Sequence, residues 1–192
     1  MPEKGEQAQV PEASPACSDT AWLEQVALRY LARFEAPRER VRRLLLARLG
    51  RVGGTAAGLA AVEVVLTRLV ARRLIDDDRF AQMRARGLNR KGRSLRAIRA
   101  ILQDGGVATS TAAAALAMLV EEGSVSDLRA AAVYCRRRQF GPFRSPAQRQ
   151  TLRLRDVAAL TRVGFEASIA CLVIDAATAE EVEAWALDPT AG

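Results

Sequence analysis

Histidine is absent from all 192 residues of the chain, and that gap excludes more chemistry than any residue present suggests. Without an imidazole there is no His-based general acid or base, no common catalytic triad, and little basis for a transition-metal site. Cysteine is nearly as scarce. Cys17, Cys135 and Cys171 are odd in number, far apart and without a CxxC spacing, so neither a disulfide framework nor a zinc site is expected. Lysine occurs only at Lys4 and Lys91. The apolar runs are short and broken by charge, too short to span a bilayer. The opening MPEKGEQAQVPEASP lacks the apolar stretch of a secretory signal. Together these absences predict a cytoplasmic protein that is not an enzyme, with no cofactor, no metal and no membrane; a monomer is expected.

What is present is positive charge, unevenly spread. The 29 basic residues exceed the 22 acidic ones, for a net +7. Residues 1–20 carry a net −3 and residues 175–192 a net −5, which leaves +15 on the body from 21 to 174. A field of that size draws polyanions, either nucleic acid or an acidic protein surface. Nearly all the cations are arginines, whose planar fork suits phosphate and carboxylate. Codon bias in a GC-rich genome would give the same ratio.

The charge concentrates in the stretch from Ile75 to Gly106, IDDDRFAQMRARGLNRKGRSLRAIRAILQDGG. Arg84, Arg86, Arg90, Lys91, Arg93, Arg96 and Arg99 follow one another with no Asp or Glu between them. Phe80, Met83, Leu88, Leu95, Ile98 and Leu102 interleave at helical spacing, which predicts two short helices on a buried core with a basic outer face. A second acid-free set runs through Arg136, Arg137, Arg138, Arg144, Arg149, Arg153 and Arg155. Exposed helices normally mix signs, so two such sets predict contact with a polyanion or an acidic partner.

Helical periodicity extends over the whole body. Leu23, Val26, Ala27, Tyr30, Leu31 and Phe34 form one apolar stripe. Pro37 opens a second helix, carrying Val41, Leu44, Leu45 and Leu49 and stopping at Gly50. After a Gly-rich linker a third places Leu59, Val62, Leu66 and Leu69 inward. Asp76 caps the next helix, with Asp77 and Asp78 in its first turn. Ser94 caps another that ends at Gly105-Gly106. Thr109 to Glu122 follows, with Leu116, Leu119 and Val120 inward. Ser126 or Asp127 opens the next, carrying Leu128, Ala132 and Cys135. Ser145-Pro146 starts a helix ending at Gly164, and Phe165 to Ala176 forms another through Ile169, Leu172 and Val173. A further short turn around Val182 and Trp185 is consistent with the tail.

No period-2 strand appears, so the predicted class is all-α. Gly50, Gly105 and Gly164 mark a repeat of roughly 50–60 residues, the signature of tandem three-helix units. The expected organisation is an acidic disordered leader at 1–19, repeats at 20–74, 75–124 and 125–176, and an acidic C-terminal tail at 177–192. About nine helices would form an elongated, curved array.

The string LIDDDRFA at 74–81, the Arg-rich helix after it, Arg90-Lys91-Gly92, Ile98 with Leu102, and Gly105-Gly106-Val107 resemble the RecX family. The segments ALRYLARFEAPRERVRRLLLARLG at 27–50, AVYCRRRQFG at 132–141 and RDVAALTRVGF at 155–165 resemble the family's first and third repeats. The resemblance covers roughly residues 21–175. It implies a regulator that binds the RecA recombinase filament on single-stranded DNA and inhibits its ATPase and strand exchange, in DNA recombination, repair and the SOS response. Duplex DNA would be a weaker ligand. Two positions depart from the family pattern. Arg73 stands where a glycine often precedes the Leu-Leu pair, and Ala36-Pro37 replaces a Ser-type cap.

Candidate contact residues are Arg79, Arg84, Arg86, Arg90, Lys91, Arg93, Arg96, Arg99, Arg136, Arg137, Arg138 and Arg144. Asp76, Asp77 and Asp78 are read as cap and dipole residues, since consecutive helical positions diverge and cannot converge on one ion. Phe80 is assigned to the core. Phe140 and Phe143 either fold onto the neighbouring helix or stack on unpaired bases. The rival reading from another class is a helix-turn-helix protein acting on duplex DNA directly.

Overall fold

The computed structural model describes residues 20–53 and 56–187. The leader at 1–19 with Cys17, Gly54-Thr55 of the linker and the last five residues of the tail lie outside the described residues. All regular structure among the described residues is helical: α1 Thr20–Leu31, α2 Arg38–Arg51, α3 Ala56–Ala71, α4 Asp77–Arg90, α5 Leu95–Asp104, α6 Thr109–Glu121, α7 Asp127–Arg138, a 3-10 turn Gly141–Phe143, α8 Pro146–Arg162, α9 Ala167–Asp175 and α10 Ala179–Leu187. Residues up to Glu35 and Glu39–Ile75 group into one unit, and Ala36–Arg38 with Asp76 onward into another.

The tandem repetition is written in the backbone hydrogen bonds. At the end of α3, Arg73 N–H donates to the Val70 carbonyl (2.9 Å) and Leu74 N–H to the Leu69 carbonyl (2.9 Å). Fifty residues on, at the end of α6, Gly123 N–H donates to Val120 (2.9 Å) and Ser124 N–H to Leu119 (2.8 Å). Both are left-handed helix stops, with φ of 56° at Arg73 and 66° at Gly123. Each leads into a capped helix: Asp76 Oδ1 accepts from Arg79 N–H (2.9 Å) and Ser126 Oγ from Arg129 N–H (3.3 Å). The next residue is an aspartate both times. Asp77 accepts from Arg38 N–H (2.8 Å), which anchors Ala36–Arg38 in the second unit, and Asp127 accepts from Leu95 N–H (2.7 Å).

In the first unit α1 packs on α3, and Leu23, Ala27, Val41, Leu45, Leu49, Val62, Val65, Leu66 and Leu69 are buried. In the second, α4 buries only Ala81, Ala85 and Asn89, small side chains that let α5 and α6 approach closely. Ile98, Leu102, Leu116 and Leu119 complete that core. Ala130, Ala131 and Ala132 of α7 meet Leu160, Phe165, Val173 and Ile174 in an adjoining core. Each fully buried Leu or Ile supplies roughly 1.5–3 kcal/mol.

Several apolar positions expected inward are exposed: Phe34, Leu59, Met83, Val120 and Leu172. Met83 and Leu172 lie on the sides of α4 and α9 opposite the buried residues, while Leu59 and Val120 sit at the edges of their stripes. Phe34 lies beyond the last turn of α1. Phe80 is partly buried against its core. The helix stop expected at Gly50 is also displaced. α2 runs through Gly50 to Arg51, and the left-handed residue is Gly53, with φ of 77°. At the other two stops, Gly105 is a right-handed cap preceding Gly106, and both Gly106 and Gly164 have φ of 99°.

The further turn expected around Val182 and Trp185 is a full helix, the tenth among the described residues. Glu181 N–H donates to Thr178 Oγ1 (3.2 Å), and Glu181 Oε2 accepts from Ala177 N–H (2.9 Å), a variant of the capping box. Helix α10 packs on α7, with Val182 fully buried and Trp185 against the same core.

A side chain held left-handed costs roughly 1–2 kcal/mol, against a smaller entropic penalty for glycine. Arg73→Gly is therefore expected to raise stability by about 0.5–1 kcal/mol, read as a higher midpoint in thermal unfolding.

Candidate nucleic-acid interface

Gly92 makes the site. It ends the α4–α5 turn with φ of 79°, and a Cβ there would lie 3.1 Å from Tyr134 N and 3.2 Å from the Ala130 carbonyl. Only glycine combines this backbone conformation with so close an approach to α7. The turn is held from other directions as well. Asn89 Nδ2 donates to the Ser126 carbonyl (3.0 Å) and its Oδ1 accepts from Ser126 N–H (3.2 Å). Ser94 Oγ donates to the Val163 carbonyl (2.8 Å) while capping α5 through Ala97 N–H (3.2 Å). Gly164, whose absent side chain leaves room for Ser94 Oγ, completes the seat.

This docking brings the two basic segments together. Lys91, Gly92, Arg93, Tyr134, Arg137, Arg138 and Val163 line a cleft of about 430 Å³ that contains no carboxylate. Arg137 donates to the Lys91 carbonyl (3.0 Å), and the Arg138 guanidinium lies 5.8 Å from the centre of the Tyr134 ring. Their heads are therefore directed rather than free to sample solvent. Lys91 caps α4, Arg137 and Arg138 occupy the last turn of α7, and Val163 caps α8. Cations at helix C-termini are stabilised by the dipole, each end carrying about −0.5 charge. Three ends supply roughly −1.5 against four full cations, so the cleft keeps a substantial positive excess. It can hold phosphate or carboxylate oxygens by charge-assisted hydrogen bonds.

The remaining predicted contact residues divide by environment. Arg84, Arg90, Arg96, Arg99 and Arg136 are exposed and have no ion pair among the described residues. Arg79 is exposed too, in the first turn of α4. Arg86 pairs with Glu122 (3.1 Å). Arg144 is committed internally, with Nε 2.6 Å and Nη2 2.8 Å from the carboxylate oxygens of Asp156, a residue only 1% exposed. That hydrogen bond raises the Arg144 pKa further. In the same region Arg153 pairs with Asp175 (2.6 Å) and lowers its carboxyl pKa, and Arg149 donates to the Ala176 and Ala177 carbonyls. The sequence spacing hid these partners because the acids lie outside the acid-free run.

Phe140 and Phe143 pack against the core of α7–α10. Phe140 meets Tyr134 edge-on at 6.2 Å, and its face is covered by Arg144 at 5.0 Å. These rings are structural. Burial pushes the Cys135 thiol up to about 12, leaving it an inert core residue. Sequence reasoning passed over Tyr134 as a lining residue. Its one legible signal was an aromatic one helical turn before Arg138.

Asp127 supports the turn at a cost. Burial, the largest influence, raises its pKa above the ordinary 3.8, opposed by the Leu95 hydrogen bond. The folded state then binds a proton more tightly than the unfolded chain, so this group adds stability as pH falls through the window above 3.8 and loses it as pH rises. Asp127→Asn keeps an acceptor for Leu95 and is expected to match or exceed wild-type stability at pH 7. That advantage should shrink towards pH 4 in paired thermal melts. Arg144→Met leaves the buried Asp156 unpaired, and a loss of about 3–5 kcal/mol in urea unfolding is expected.

Known proteins resemble this chain at three levels. A family model described as RecX, second three-helix domain, matches residues 76–116. A regulatory protein RecX from Myxococcus xanthus is 39% identical over 160 residues, covering 80% of this chain and 84% of the relative. Another, from Agrobacterium fabrum, is 34% identical over 130 residues, covering 68% and 67%. The crystal structure of RecX from Lactobacillus salivarius shares the fold with a TM-score of 0.61 at 18% identity, over 86% of this chain and 97% of that one. With that fold, that coverage and the matched motif of α4–α6, the chain belongs to the RecX family of regulatory proteins.

Proposed function

We propose that this protein binds the RecA filament on single-stranded DNA and inhibits its ATPase and strand exchange. The observation that carries the reading is the acid-free cleft where Lys91 and Arg93 meet Arg137 and Arg138. Phosphates of the filament, or acidic oxygens on RecA, would replace the counterions there. Arg79, Arg84, Arg86, Arg90, Arg96, Arg99 and Arg136 would extend the contact beyond the cleft. Residues 20–74, 75–124 and 125–176 serve in this reading as successive repeats spanning neighbouring protomers, obstructing duplex DNA and the motions tied to ATP hydrolysis. The protein would act in the cytoplasm, as a monomer and without chemistry of its own. Support comes from the named relatives, both regulatory proteins RecX.

The deciding measurement is RecA's single-stranded-DNA-dependent ATPase, titrated with this protein. Slowing at near-stoichiometric ratios is expected. Arg93→Glu combined with Arg138→Glu should raise the amount needed for half-inhibition at least ~10-fold, about 1.4 kcal/mol, while thermal unfolding stays close to wild type. No slowing by wild-type protein would sink the reading. Tighter binding to bare duplex than to RecA-coated strand would favour a direct duplex-DNA binder instead.

A further inference from the structure

The first unit carries a groove that the RecA reading does not use. Val26, Arg29, Tyr30, Ala32, Arg33 and Phe34 from α1 and the turn after it, with Leu44 and Arg48 of α2, enclose about 550 Å³. Its floor is apolar. Phe34 is 57% exposed, yet it is held in place: its N–H donates to the Tyr30 carbonyl (3.0 Å), and its ring lies 5.3 Å from that of Tyr30, tilted by 40°. The Tyr30 hydroxyl accepts from Arg40 Nε (3.0 Å), which fixes the second ring. A fixed aromatic left open to water forfeits most of the stabilisation its burial would bring.

The rim is wholly cationic. Arg29, Arg33 and Arg48 line the groove with no acidic residue in the lining, and none has an ion-pair partner among the described residues. Elsewhere in this unit Arg42 pairs with Glu63 (2.6 Å), Arg43 with Glu39 (3.1 Å) and Arg72 with Glu24 (2.6 Å). Three cations without an ion pair thus surround the Tyr30–Phe34 aromatic pair.

An occupant that satisfies both features must offer a flat apolar face and negative charge within a few ångströms of it. We infer that the groove seats an unpaired nucleotide of single-stranded DNA, its base stacked on Phe34 and the flanking phosphates held by Arg29, Arg33 and Arg48. Stacking on an aromatic side chain tolerates any base, and guanidinium forks grip phosphate in pairs of bonds. The lining presents no carboxylate or amide oxygen to a ribose 2′-hydroxyl. A duplex cannot occupy the site, because its bases are already stacked. The inference shares with the RecA reading only the premise that the chain meets single-stranded DNA.

The test uses the full chain with RecA absent, so that failure of the filament reading leaves it intact. The probe is a thymine oligodeoxynucleotide carrying one 2-aminopurine, whose fluorescence falls when the base stacks. Wild-type protein is expected to quench it. Phe34→Leu should abolish the quench and weaken binding at least ~5-fold, and Phe34→Trp should restore both. A strand with abasic sites should bind wild type more weakly than the intact strand, but should bind Phe34→Leu no differently from it. Phe34 is exposed, and thermal unfolding of each variant verifies the fold. Equal affinity of wild type for abasic and intact strands would overturn the proposal. So would tighter binding of an RNA strand, or a Glu- and Phe-containing peptide that depends on Phe34 when the DNA strand does not.

Discussion

The second unit depends on how closely the α4–α5 turn can approach α7. Gly92 permits a backbone separation that any Cβ would oppose, and Asn89, Ser94 and Asp127 then convert proximity into hydrogen bonds. Each of these polar side chains is buried or half-buried. Left without partners, each would cost free energy, so they specify one seating of the turn and penalise others. The basic cleft is a by-product of that seating. Its cations come from the last turn of one helix and the loop after another, and they meet only because the uncharged residues beneath them fit.

Electrostatics sort the arginines into two populations. One is internal: Arg144 on Asp156, Arg153 on Asp175, and Arg149 on backbone carbonyls near α10. These hold the last helices together and, where buried as at Asp156, cannot be removed singly without stranding a charge. The other population, around Lys91, has no acid in the lining of its cleft. Helix C-termini ease its self-repulsion without cancelling it. A protein can maintain such a surface when its core and joints provide the stability elsewhere.

Much of this was legible in the sequence. Helical periodicity gave the class, and the caps at Asp76, Ser94 and Ser126 were readable because a short polar side chain before an apolar run has few other uses. The spacing of Gly50, Gly105 and Gly164 gave the tandem arrangement, which the family resemblance also implied. What failed did so for physical reasons. Apolar residues such as Met83 and Leu172 were assigned inward because hydrophobicity predicts burial only loosely. The role of Arg144 was missed because its acid lies twelve residues on, three turns into α8. The second function of Asp77 and Asp127, as acceptors for the start of a preceding helix, depends on tertiary contact and has no local signature. Gly53 in place of Gly50 shows that counting glycines does not locate the one with positive φ.

The cleft has one property that follows from its donors alone. Lys91, Arg93, Arg137 and Arg138 offer hydrogens to anionic oxygens, and no Asn, Gln, Asp or Glu joins them in the lining. Such a surface has no amide fork to pair with adenine and no carboxylate to accept from cytosine. Guanine, with its O6 and N7 acceptors, is the one base edge these donors could read, so along a polymer the spacing of charges would weigh more than any other letter of the text.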